Sequence, residues 1–161
     1  MNINYTLRTE VKESDIQFVE EIVRSTGFFR DDEIEVAVEL VQEAFEKGKE
    51  SGYEFVFVDV DDKTVAYSCF GLIPCTLVSY DLYWIATHND FRGKGLGKVV
   101  LQKTEEIVKF LKGKGIYVET SSKPLYLPTQ KFYEKNDYTL KVSFEDFYAE
   151  GDDKYVYVKK I

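Results

Sequence analysis

The feature that most constrains this chain lies at Asn89-Asp90-Phe91-Arg92-Gly93-Lys94-Gly95-Leu96-Gly97-Lys98. A β-prone run, Tyr80 to Thr87, feeds straight into three closely spaced glycines. An amphipathic run leaves them, with Leu96, Val100, Thr104, Ile107, Val108 and Leu111 at helical spacing and Gly113 as its stop. Strand, glycine turn and helix in that order call for a sheet with a helix folded back onto it. Glycines let backbone N–H groups converge without obstruction by Cβ, and the helix N-terminus adds partial positive charge. Such a turn suits a phosphate group.

The rest of the chain supplies the sheet. Ile3 to Leu7 alternates and reads as a strand. Ser14 with Gln17 forms a capping-box pattern that opens a helix through Phe18, Val19, Ile22 and Val23, and Gly27 closes it. A second helix starts at Asp31 or Asp32 and runs through Ile34, Ala37, Val38, Val41 and Phe45 to Gly48. The period then changes from helical to two. Tyr53 to Val60 and Thr64 to Gly71 form a hairpin about Asp61-Asp62-Lys63. After the glycine turn and its helix come a strand at Ile116 to Thr120, a short helix from Pro128 through Tyr133, and strands near Tyr138–Phe144 and Lys154–Lys160. The predicted order is β-α-α-β-β-β-α-β-α-β-β, a mixed α/β sheet with helices on its faces in one domain spanning residues 1–161.

Charge narrows the partners. Among 161 residues, 29 acids outweigh 21 bases for a net of −8, and residues 1–62 alone carry 17 acids against 6 bases. A chain this acidic is a poor general binder of nucleic acid, whose phosphates need a basic face. An acidic field favours a cationic substrate or partner. The exception is Arg92 to Lys114, where seven bases face only Glu105 and Glu106, and this suggests an anionic ligand docked there. No apolar run approaches the roughly 18 residues of a membrane span, and the N-terminus lacks the pattern of a secretory signal, so a cytoplasmic protein is expected. Cys69 and Cys75 with one histidine make neither a disulfide framework nor a zinc set. Asp59-Val60-Asp61-Asp62 has the acidic look of a calcium loop but lacks its glycine, where Thr64 stands, and its closing Glu, so a turn is expected and no metal site.

The phosphate ligand is narrowed by elimination of motifs. The dinucleotide fingerprint G-x-G-x-x-G fails because Lys98 stands at the third glycine. The triphosphatase loop G-x-x-x-x-G-K-[ST] fails because position 92 is Arg and Val99 follows Gly97-Lys98. What fits is R-x-x-G-x-G at Arg92, Gly95 and Gly97, which resembles the pyrophosphate loop of the GNAT (Gcn5-related) N-acetyltransferases. The strand Leu82-Tyr83-Trp84-Ile85-Ala86-Thr87 is similar to that family's fourth, Lys114 to Thr120 to its fifth, and Lys131-Phe132-Tyr133-Glu134-Lys135-Asn136-Asp137-Tyr138 to its F-Y-E-K-x-G-F segment. The element order matches too, so the resemblance covers nearly the whole chain. It departs at Asn136-Asp137, where Gly is usual, and at Asn89, where Pro is common.

The resemblance implies the acyl-CoA N-acyltransferase fold and acetyl-CoA as cofactor. Arg92, Gly93, Lys94, Gly95, Leu96, Gly97 and Lys98 would meet the pyrophosphate, mostly through backbone, and Ile85, Ala86 and Thr87 the pantetheine. Tyr133 would be the acid for the leaving thiolate. Asp81 matches the family's base in its histone-acetylating branch, and Glu119 on the next strand competes with it. Asp81, Tyr83, Ile85 and Thr87 share a face by period-two alternation. His88, beside Asp90, is expected not to be catalytic, and no activated nucleophile is visible, so direct transfer is expected. The acceptor, a small-molecule or peptide amine, would meet Phe28, Phe29, Trp84, Asp146 and Tyr148. A homodimer is a family expectation. The alternative is a non-catalytic module that binds acyl-CoA.

Overall fold

The structure is a computed structural model that describes residues 2–161. Its order is β1 (Thr6–Arg8), α1 (Ser14–Ser25), α2 (Asp31–Lys47), β2 (Glu54–Val60), β3 (Lys63–Leu72), β4 (Ser79–Thr87), α3 (Leu96–Phe110), β5 (Gly115–Ser121), α4 (Leu127–Lys135), β6 (Thr139–Ala149) and β7 (Asp152–Lys160). This is the order the sequence predicts. The strands form a seven-stranded mixed sheet in the order β1-β2-β3-β4-β5-β7-β6.

The chain packs as two compact units, and β4 is divided between them. One holds everything up to Gly71 together with Trp84–Ile107, and the other holds Leu72–Tyr83 with Val108–Ile161. In the first unit β2 and β3 are buried on both faces, and period-two alternation sorts their side chains. Phe55 and Phe57 of β2, with Tyr67 and Cys69 of β3, meet Val19, Ile22 and Val23 of α1 and Ile34, Ala37, Val41 and Ala44 of α2. Ser68, on the opposite face of β3, hydrogen-bonds Thr104 of α3 at 2.7 Å. Arg8 of β1 clamps this unit, with its guanidinium 2.8 Å from Asp15 at the start of α1 and 2.9 Å from Asp59 of β2.

Several local expectations are corrected. Ser14 lies inside α1 and makes no cap. The capping role falls to Asp15, whose carboxylate accepts the Lys12 N–H at 2.7 Å while Arg8 holds it in place. A true N-terminal bond of this kind opens α2, where Glu33 accepts from the Arg30 N–H. Phe45 on α2 is exposed, Leu111 lies just past the end of α3 and is exposed too, and Leu101 is buried instead. The first strand is Thr6–Arg8 rather than Ile3 to Leu7. The hairpin turn after Val60 is found as expected, with Asp61 and Asp62 both at positive φ as a two-residue turn requires.

In the second unit, β4 and β5 pair in parallel at Ser79↔Gly115, Tyr80↔Ile116 and Asp81↔Tyr117. Gly113 permits this crossover. A Cβ there would lie 2.4 Å from Val108 and 2.8 Å from the Tyr80 ring. β5 then pairs with β7, and β7 with β6. The last two strands reach further than the expected Tyr138–Phe144 and Lys154–Lys160, because β6 runs to Ala149 and β7 starts at Asp152.

Candidate active site

The glycine turn begins where β4 ends. His88 Nδ1 accepts the Asp90 N–H at 3.1 Å and so caps a short 3-10 turn, Asn89–Phe91. This employment is structural. Gly93 and Gly95 follow with φ of 74° and 80°, the left-handed region that a side chain would strain. A Cβ on either would meet nothing within 4 Å, so conformation rather than crowding asks for glycine there. The Gly95 carbonyl accepts from Val99 at 3.2 Å and starts α3. Among the described residues, no backbone hydrogen bond engages the N–H groups of Gly93, Lys94, Gly95, Leu96, Gly97 or Lys98. A run of open amides at the start of a fifteen-residue helix suits an anion. Arg92, Lys94 and Lys98 are exposed around it and add positive charge.

An aromatic wall stands in the same unit. The Arg92 guanidinium lies 5.4 Å from the centroid of Phe28, in the loop between α1 and α2. Phe28 meets Phe29 edge-on at 6.4 Å, and Phe29 meets Trp84 of β4 at 4.9 Å. Ser25 at the end of α1 accepts the Asn89 N–H at 3.0 Å, a second tie between this loop and the glycine turn. In β4, Ala86 is buried, while Ile85 and Thr87 are partly exposed on the face that Asp81 and Tyr83 share by alternation.

The second unit gathers the titratable groups. Asp81 is half-buried, and its carboxyl is raised above the ordinary value by desolvation first and by the Glu119 carboxylate second, with Lys154 opposing them. Among the described residues no hydrogen bond reaches the Asp81 carboxylate. Glu119 differs, because Lys154 Nζ holds it at 2.8 Å. Tyr133 of α4 is buried among Phe132, Tyr138 and Tyr157, with ring centroids 5.5 to 5.9 Å away. Burial pushes its phenol well up, so it stays protonated at neutral pH, and among the described residues its hydroxyl has no hydrogen-bond partner. The neighbouring Tyr157 phenol is pushed up to about 12 by burial and by Glu134, which accepts its hydrogen bond.

Phe28, Phe29 and Trp84 thus lie together in the first unit, and Asp81, Glu119 and Tyr133 lie in the second. Asp146 and Tyr148 sit on β6 in that second unit. The Asp146 carboxylate is already used there, accepting the Gly151 N–H at 2.7 Å across the hairpin tip. Phe147 and Lys154 fall in the stretch 145–154 that the sequence places on the acceptor side, without being singled out there. The only signal for them was the mixture of aromatics and charges near the last turn.

Residues 51–140 match the family model described as an acetyltransferase (GNAT) domain. A crystal structure from Desulfovibrio desulfuricans, of a protein assigned to the GNAT acetyltransferases, is 38% identical to this chain. It superposes with a TM-score of 0.96 over 98% of this chain and 99% of that one. PaiA N-acetyltransferase from Thermoplasma acidophilum, solved with coenzyme A, shares the fold at 18% identity and a TM-score of 0.74, over 99% of this chain and all of that one. The ribosomal-protein-S18-alanine N-acetyltransferase of Escherichia coli does so at 14% and 0.79, over 98% and 94%. Among curated proteins, none matches.

Proposed function

The chain belongs to the GNAT family of acetyl-CoA-dependent N-acetyltransferases, and from that premise we propose that it moves an acetyl group directly to a primary amine of a small molecule or peptide. The observation that carries this reading is the run of open amides from Gly93 to Lys98 on a turn that two left-handed glycines shape. Open main-chain donors of this kind suit a diphosphate, and the exposed Arg92, Lys94 and Lys98 answer its charge. Ile85, Ala86 and Thr87 continue the site along β4 with main-chain groups for the pantetheine arm. The coenzyme supplies an acetyl thioester, which an unprotonated amine attacks with release of the thiol.

The chain's own residues handle the protons. Asp81 is the base in this reading. Among the described residues its carboxylate has no hydrogen-bond partner, and its affinity for a proton is raised, so it takes a proton more readily than an ordinary aspartate. Glu119 is the weaker candidate because Lys154 already engages it. Tyr133 is the acid in this reading, a protonated phenol whose hydroxyl, unpartnered among the described residues, donates to the departing sulfur. Phe28, Phe29 and Trp84 line the acceptor side within the first unit. Asp146 is left to the hairpin it already braces.

Two measurements test this. Thermal shift with acetyl-CoA, NAD and ATP should show stabilisation by acetyl-CoA alone. A panel of amines, amino acids and peptides screened for thiol release should then give turnover with one class. Binding without turnover across the panel would make the protein an acyl-CoA-binding module instead.

A further inference from the structure

Lys154 of β7 is a cation largely withdrawn from solvent. Its side chain keeps 15% of its exposure, while that of its partner Glu119 keeps 53%. The ammonium lies 2.8 Å from Glu119 Oε1, 4.3 Å from the centroid of the Phe147 ring and 5.7 Å from that of Phe144. Those two rings are 6.3 Å apart, and both are about half exposed on β6. One carboxylate and two aromatic faces are the means by which proteins recognise an alkylammonium. Here the guest belongs to the chain itself.

We propose that Lys154 is a resident guest, its ammonium occupying in the free enzyme the cage that receives the ammonium of the acceptor. This rests on the acetyltransferase reading above. The charges around the cage are Asp81 from β4, Glu119 from β5 and Lys154 from β7, while β6 contributes Phe144 and Phe147. An arriving alkylammonium is drawn by two carboxylates and repelled by one lysine. Once the flexible four-carbon stem of Lys154 swings aside, the newcomer inherits Glu119 and the rings. Lys154 therefore lowers affinity for every alkylammonium by charge repulsion and leaves neutral ligands nearly untouched. It is a positioning residue that sets how tightly the cage holds the acceptor's ammonium.

The test compares n-hexylamine, charged at neutral pH, with n-hexanol, of equal chain length and no charge. Both are titrated by calorimetry into enzyme loaded with CoA. Lys154→Met keeps most of the stem and removes the charge, and should bind n-hexylamine about tenfold more tightly, the scale of one like-charge contact removed from a partly buried site. Binding of n-hexanol should change by less than about threefold, since it carries no charge for Lys154 to repel. Lys154→Arg, which keeps the charge, should retain the wild-type affinity for n-hexylamine. Lys154→Gln is run in parallel, so that a folding defect peculiar to Met does not decide the result, and undisturbed CoA affinity certifies each variant. Unchanged or weaker n-hexylamine binding in both neutral variants overturns the proposal and makes Lys154 a strut. An equal gain for n-hexanol overturns it too, as a packing effect. A wild-type protein that binds no CoA removes the acetyltransferase reading and this inference with it, whereas normal CoA binding with unaltered amine affinity removes the inference alone.

Discussion

The turn at Arg92–Gly97 and the group around Asp81 use different parts of the polypeptide. The turn presents main-chain N–H groups, and what it needs from its side chains is mostly their absence at Gly93 and Gly95. The group around Asp81 depends on three charged side chains from β4, β5 and β7, where Lys154 pairs with Glu119 and both act on the Asp81 carboxyl. A backbone site is disabled by changing φ or the charge at its rim. A side-chain site is disabled by removing one ionisable group, and the loss falls on the chemical step rather than on cofactor affinity.

The sharpest break in this contrast is Asp81→Asn. An amide cannot accept the proton, so kcat should fall about a thousandfold while CoA affinity stays within twofold. The pH profile adds a sign. The carboxyl is raised above its ordinary value by desolvation and by Glu119, and it must be ionised to act. Activity of the wild type should therefore fall as pH drops through that raised value, and this acid limb should vanish in Asp81→Asn. Persistence of the limb would hand the role to another group. Tyr133→Phe comes next, with a loss of about a hundredfold in kcat and none in CoA binding. Burial holds the phenol protonated across the neutral range, so its removal should lower the plateau without moving the acid limb.

Lys94→Glu probes the other side of the comparison. It reverses one charge at the rim of the open amides and should weaken CoA about tenfold in calorimetry, with kcat at saturation nearly unchanged. Equal damage to kcat would mean that turn and carboxylates are not separable in this way.

That separation also explains how much was legible in the sequence. The glycine turn could be read because its needs are local. A positive φ selects glycine, and a helix follows within a residue, so spacing alone carries the information. The element order was legible for the same reason, from periods and stop residues. The cage around Lys154 was not. Lys154 follows Phe147 by seven residues and Glu119 by thirty-five, and they meet only through the register of β5, β7 and β6. The bulged pairing between Phe144 and Ala149 decides which side chains reach the ammonium, and nothing local in the sequence announces a bulge. The failed capping box has a tertiary cause as well. Ser14 has the right spacing to Gln17, but Arg8 on a separate strand recruits Asp15 and fixes the helix start around it.

Arg8 gives the smallest expected effect, and it tests whether the first unit's scaffold is independent of the chemistry. Asp59 is partly buried, which works against its charge, yet hydrogen bonds from Arg8 and Thr64 hold its carboxyl below the ordinary 3.8. A carboxyl lowered in the folded state adds stability at pH values above its unfolded value, and that contribution disappears as pH falls through the folded one. Asp59→Asn should therefore cost about 1 kcal/mol at pH 7, where Arg8 keeps Asp15 but loses one of its two carboxylates. Urea unfolding of both proteins from pH 7 to pH 3 should show the gap narrowing below about 3.8. Turnover at pH 7 should be unaffected, because neither the glycine turn nor the Asp81 group shares a partner with Asp59. A fall in kcat without a fall in stability would show that the clamp at Arg8 reaches the reacting groups after all.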